Sequence, residues 1–145
     1  MSGDPLPKRT PPLGPRILVS NRQELPIDEG ELTKLARRTL AAEGRADSEL
    51  SLSFVSPEEM ADLHLRYLGE AGPTDVLAFP LDEEGLLGDV VVCPAEAGRS
   101  GHDLPAEMRL LVVHGILHLL GYDHEEDVDR RVMWDRQEAL SGVRP

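Results

Sequence analysis

Three of the five histidines of this 145-residue chain fall within eleven residues, in the run His114-Gly115-Ile116-Leu117-His118-Leu119-Leu120-Gly121-Tyr122-Asp123-His124. On a helix, residues four apart stand one turn above each other on the same face, so His114 and His118 can close on one metal ion. A third ligand must come from beyond that helix. Gly121 can adopt a positive φ, stop the helix and fold the chain back, which would bring His124 to the ion. Three protein ligands leave the fourth tetrahedral position open, the pattern of a catalytic zinc rather than of a structural one. Imidazole-only sites also accept nickel, cobalt and other divalent ions.

The rest of the chain must build a scaffold for that helix. Its size suits one domain with its own core, and 40% hydrophobic content marks a globular chain. Aromatics make up 3%, so the core must be aliphatic. No stretch approaches the roughly 20 apolar residues of a membrane span. Residues 1–15 are Pro-rich, carry Lys8 and Arg9, and read as a flexible tail without the apolar segment of a secretory signal; residues 16–145 read as a single domain. The single cysteine, Cys93, excludes an internal disulfide, suits a reducing cytoplasm and reads as a small buried hydrophobe.

The net charge is −12, against general attraction to a polyanion. The charge is uneven: residues 1–45 sum to +2 and residues 46–145 to −14. Lys34, Arg37, Arg38 and Arg45 recur at helical spacing and form a basic stripe, either a solvated face or a surface that steers phosphates.

Apolar periodicity and capping residues predict the elements. A strand runs from Arg16 to Asn21. A helix starts at the Asp28–Glu31 cap, reaches about Glu43, and buries Leu32, Leu35, Ala36 and Leu40. Glu49 to Val55 alternates as a half-buried strand does. Ser56-Pro57-Glu58-Glu59 is a capping box for a helix that presents Met60, Leu63, Tyr67 and Leu68 to the core and stops at Gly69. Asp75 to Phe79 is a strand closed by Pro80, and Leu87 to Cys93 is its antiparallel hairpin partner. Pro94 opens a short helical segment. Asp103 and Pro105 start the long helix, apolar on nearly every side from Leu110 to Leu120 except at the two histidines, which predicts a central helix that buries both imidazoles. A last helix runs from Glu125 to about Leu140 and ends at Gly142. The order β-α-β-α-β-β-α-α predicts an α+β fold, a small mixed sheet of about four strands packed with helices.

The histidine run places its three His and its Gly as the metzincin signature H-E-x-x-H-x-x-G-x-x-H does, but Gly115 stands where zinc peptidases carry the Glu that serves as general base. This argues against peptidase chemistry. Asp123 and Glu125 flank the third histidine and are candidate bases or supporting carboxylates.

His114 to His124 resembles the H-G-x-L-H-L-x-G-Y-D-H segment of the YbeY family of rRNA maturation factors. Residues 73–80, Pro-Thr-Asp-Val-Leu-Ala-Phe-Pro, resemble that family's P-T-D-V-L-S-F-P block, and residues 87–93, Leu-Gly-Asp-Val-Val-Val-Cys, its L-G-D-I-V-I-C block. The likeness spans roughly residues 50–140. It implies one zinc held by His114, His118 and His124, in a cytoplasmic hydrolase that cuts single-stranded RNA. It also implies a part in small-subunit rRNA 3′-end maturation and ribosome quality control, with the ribosome or ribosomal proteins as partners. Many members carry an Arg that aids cleavage at the place of Leu68; Arg66 lies nearby, but on a helix it points about 200° away. In this reading Lys34, Arg37 and Arg38 steer the RNA backbone. The alternatives are a ribosome assembly factor in which zinc only braces the fold, and a zinc peptidase.

Overall fold

The computed structural model describes residues 14–83, 85–99, 101–122 and 126–143. The expected tail lies outside them up to residue 13. The elements are β1 (Arg16–Arg22), α1 (Glu29–Ala42), β2 (Glu49–Val55), α2 (Pro57–Leu68), β3 (Val76–Glu83), β4 (Leu86–Val92), a short 3-10 turn (Pro94–Arg99), α3 (Leu104–Leu119) and α4 (Asp127–Ser141). The expected element order therefore holds, and so do the starts of α1, α2 and α3, whereas α4 starts at Asp127 rather than at Glu125, which lies outside the described residues. The Asp28 carboxylate accepts the Glu31 N–H at 3.0 Å, the Ser56 hydroxyl the Glu59 N–H at 3.2 Å, and the Asp103 carboxylate the Ala106 N–H at 2.8 Å. Each satisfies a backbone donor that a helix start leaves orphaned.

The four strands form one mixed sheet in the order β1-β2-β4-β3; β1, β2 and β4 run parallel and β3 pairs antiparallel with β4. On one face α1 and α3 cover Leu50, Leu52, Phe54, Val90 and Val92. Leu32, Leu35, Ala36 and Leu40 of α1 are buried there, as their spacing requires. On the other face Met60 of α2 packs with Val55, Leu77, Val91 and Cys93. Cys93 is a free, fully buried thiol, and burial pushes its pKa up.

Four expectations need correction. The alternation of β2 suggests one wet face, yet Ser53 is buried as well, because β2 is a central strand with helices over both faces. β3 does not stop at Pro80 but continues to Glu83. Pro80, opposite Gly88, lies on the edge strand beside a break in the pairing register, where a missing N–H costs no ladder bond. Tyr67 and Leu68 are exposed rather than buried. The inner face of α2 meets the sheet through Met60 and Leu63, and its last turn lies at edge strand β3, where the Tyr67 ring contacts Phe79 with centroids 5.3 Å apart and stays largely exposed. Finally, α3 is central, with Leu110 to Val113 and Gly115 to Leu117 buried, but His114 is only half-buried and His118 is exposed.

Candidate metal centre

Glu107, Leu111, His114 and His118 recur along one stripe of α3. The Glu107–His114 part of that stripe, with Leu110, forms one wall of a cavity of about 200 Å³ whose other walls are Asp75 and Val76 at the start of β3 and Gln137 of α4. The His114 and His118 rings stand edge to face with centroids 5.9 Å apart. Imidazoles sharing one tetrahedral ion at Zn–N bonds of about 2 Å have centres roughly 5 Å apart, so a small side-chain adjustment brings both onto one cation. His114 Nδ1 lies 2.7 Å from the Gln137 carbonyl oxygen. Among the described residues no group of three metal-binding side chains occurs. Asp123, His124 and Glu125 lie outside those residues, so two of the three expected ligands can be placed.

The turn that leads toward His124 is formed as the sequence predicts. Gly121 has φ of 98°. The Tyr122 N–H donates to the Leu117 carbonyl at 3.0 Å and the Gly121 N–H to the His118 carbonyl at 3.1 Å, the two bonds of a Schellman stop. A cluster from three elements then pins Tyr122. Its hydroxyl donates to Glu43 Oε1 at 2.6 Å, and Arg136 of α4 donates from Nε (2.9 Å) and Nη2 to Glu43 Oε2. The bond to Glu43 pushes the Tyr122 phenol above its usual range. The Glu43 side chain is 10% exposed. Removing a carboxylate that neutralises a partly buried Arg and accepts a phenol leaves both partners unpaired, so Glu43→Ala should lower stability by about 2–3 kcal/mol and Tyr122→Phe by about 1 kcal/mol. The double variant should lose less than the two losses added, measured from urea midpoints. Strict additivity would show that Glu43 and Tyr122 do not act as a unit.

Asp75 and Glu107 make the cavity wall acidic. Glu107 is 3% exposed and pairs with His102 Nδ1 at 2.8 Å. Burial pushes the Asp75 carboxyl above the usual carboxylate range. Backbone N–H groups of Val76 and Asp75 oppose this, the charge of Glu107 adds to it, and His114 offsets part. A raised carboxyl pKa means that the folded state binds more protons than the unfolded one between the ordinary value and the raised one, so stability falls as pH rises through that window. Asp75→Asn should therefore stabilise the metal-free chain at neutral pH, by less than about 1 kcal/mol because the group is partly solvated. The gain should shrink as pH falls toward the ordinary carboxylate range. Urea titrations with a chelator present test this; a less stable Asn variant at neutral pH would contradict it.

Gly115 packs where α3 comes closest to the sheet. A Cβ built there falls 2.6 Å from Val90 Cγ1 and 3.4 Å from Val76 Cγ2. The position that holds the general base in zinc peptidases thus points at Val90 and Val76 of the sheet.

Of the remaining candidates, Lys34, Arg37, Arg38 and Arg45 are all exposed. Arg37 also donates from Nε to the Pro15 carbonyl at 3.1 Å, holding the start of β1. Arg66 is exposed and paired with Asp62 at 2.8 Å, one turn back on α2. Gln137, Glu43 and Asp75 escape a reading of the sequence because their partners are far along the chain. The signal for Gln137 was present: with Met133 and Ser141 it forms the buried stripe of α4, and a polar side chain there requires a partner.

The family model for endoribonuclease YbeY matches residues 18–142. A relative named endoribonuclease YbeY from Thermobifida fusca is 47% identical, with 88% of this chain and 94% of the relative covered. One of the same name from Rhodococcus erythropolis is 41% identical, with 86% and 79% covered. The solution structure of the Thermotoga maritima protein TM1509 superposes with a TM-score of 0.60 at 31% identity, covering 86% of each chain. The histidine run, the two upstream blocks and the fold agree with these matches: the chain belongs to the endoribonuclease YbeY family.

Proposed function

We propose that this protein is a metal-dependent endoribonuclease that cuts single-stranded RNA and acts in 3′-end maturation of small-subunit rRNA and in ribosome quality control. The observation that carries the reading is the His114–His118 ring pair, with His114 at the wall of an acidic cavity, in a chain of this family. His114 and His118, with His124, would hold one zinc, nickel or another divalent ion. When bound with an open position, such an ion supplies a Lewis acid for a phosphoryl oxygen and water with a pKa of about 7. The chain's own groups would do the rest. Asp75, its carboxyl pushed up by burial, holds a proton nearer to neutral pH than an exposed carboxylate does. Asp123, next to His124 in sequence, is the second proposed proton carrier. Arg66 would first have to leave Asp62 to reach a substrate, which disfavours it as the cation beside the reacting phosphate.

Lys34, Arg37 and Arg38 would guide the RNA backbone, while the strongly negative remainder keeps the protein off RNA in bulk. An acidic nuclease of this kind depends on the ribosome or a ribosomal protein to bring it to its substrate. No helix among the described residues is long and apolar enough to cross a membrane, and we place the protein in the cytoplasm with its substrate.

The test is cleavage of precursor small-subunit rRNA by the native chain. Cleavage should stop on chelation and return on adding zinc, with nickel compared alongside. Undiminished cleavage after complete chelation would overturn metal dependence. Loss of rRNA maturation in cells without any cleavage by the loaded chain would favour the assembly factor.

A further inference from the structure

A neutral imidazole carries its proton on one nitrogen and offers a lone pair on the other, and the partner of the first decides which one faces a metal. In this protein that partner is on another helix. His114 Nδ1 lies 2.7 Å from Oε1 of Gln137, twenty-three residues further on. A carbonyl oxygen only accepts, so Nδ1 carries the hydrogen and Nε2 carries the lone pair. Gln137 is 4% exposed and occupies an apolar-stripe position of α4 between Met133 and Ser141, both buried. Burying an amide there is costly unless it is bonded; a leucine would fill the stripe without that cost. The Ser141 hydroxyl donates to the Gln137 backbone carbonyl at 2.6 Å and steadies that turn. An amide also supplies its acceptor without placing a third negative charge beside Asp75 and Glu107 on the cavity wall.

We infer that Gln137 is a positioning residue of the metal centre: its side-chain carbonyl holds His114 in the Nδ1–H tautomer and aims Nε2 at the cation. The inference rests on the metal-centre reading above, and two measurements keep the two separable. The first titrates zinc alone against a chromophoric chelator with the native chain, Gln137→Met and Gln137→Glu. Methionine matches the length of glutamine without its carbonyl, and affinity should fall by about tenfold to a hundredfold. Glutamate keeps an acceptor in place and should stay within about threefold of native. Native affinity in the Met variant overturns the inference, and so does an equal loss in both variants, which would make Gln137 a packing residue only. Absence of zinc binding by the native chain would instead sink the metal-centre reading. The second measurement is independent of zinc and of any variant's folding: ring nitrogen chemical shifts of His114 in the metal-free native chain. A protonated Nδ1 is expected; a protonated Nε2 overturns the inference.

Discussion

Replacing His118 with alanine should abolish RNA cleavage and leave the metal-free fold intact. The two halves of this expectation come from different features. His118 is exposed on the outer stripe of α3, in the last turn of the helix before the Schellman stop. Alanine is the best helix former and creates no cavity at an exposed site, so the unfolding free energy measured by urea in chelator should change by no more than about 0.5 kcal/mol. The chemistry should suffer far more. With one of three imidazoles gone, the cation is held too weakly and in the wrong geometry to activate water, and the cleavage rate should fall by at least about a thousandfold, some 4 kcal/mol of barrier. Zinc should stabilise the native chain increasingly as its free concentration rises above the dissociation constant, and leave the variant nearly unaffected. His114→Ala is the poorer experiment, because His114 is half-buried and bonded to Gln137, so lost activity and lost packing would mix. A His118→Ala chain that folds, binds little zinc and still matures rRNA would place catalysis elsewhere and leave the metal, at most, a brace.

The sequence made local structure legible and left distant partnerships hidden, and particular residues show where the division falls. Asp28, Ser56 and Asp103 announce their helices because a cap is a contact between residues three apart. Gly121 announces its turn because only a residue without a Cβ takes that φ cheaply. The three-histidine spacing and the flanking blocks carry the family, and the matching family model extends over residues 18–142. By contrast, the Tyr122–Glu43 bond spans seventy-nine residues and the His114–Gln137 bond twenty-three, and no local pattern encodes either. Burial of α3 was readable from its composition, but which of its faces stays open was not. An apolar helix with two histidines reads as buried all round until the sheet, α1 and α4 are placed and one stripe is left over a cavity. Tyr67 and Leu68 fail for the same reason in reverse. Their spacing continues the inner face of α2, yet that end of the helix lies at the edge strand and both side chains stay exposed.

Gly115 is where the sequence and the structure give different reasons for one residue, and the difference can be measured. Read against zinc peptidases, it is a missing base. In the fold it is the contact point between α3 and the sheet, with Val90 Cγ1 only 2.6 Å from where a Cβ would sit. If Gly115 were merely a vacant catalytic position, alanine should stabilise the helix by about 0.5–1 kcal/mol, the usual gain over glycine. The contact reverses the sign. Val90 is fully buried in a central strand and cannot swing aside, so overpacking should cost about 1–3 kcal/mol and leave Gly115→Ala less stable than native. Gly115→Glu, which completes the peptidase signature, should be far worse, because it drives a carboxylate between Val90 and Val76. The loss should be at least about 4 kcal/mol, a large share of an ordinary domain's stability, with no gain of peptidase activity. A double-mutant cycle isolates the cause. Val90→Ala alone opens a cavity and destabilises, but in the Gly115→Ala background it makes room for the new methyl, so its cost should drop by about 1 kcal/mol or more. A Gly115→Ala chain that is more stable than native, with no coupling to Val90, would return the glycine to the status of a base that is simply absent.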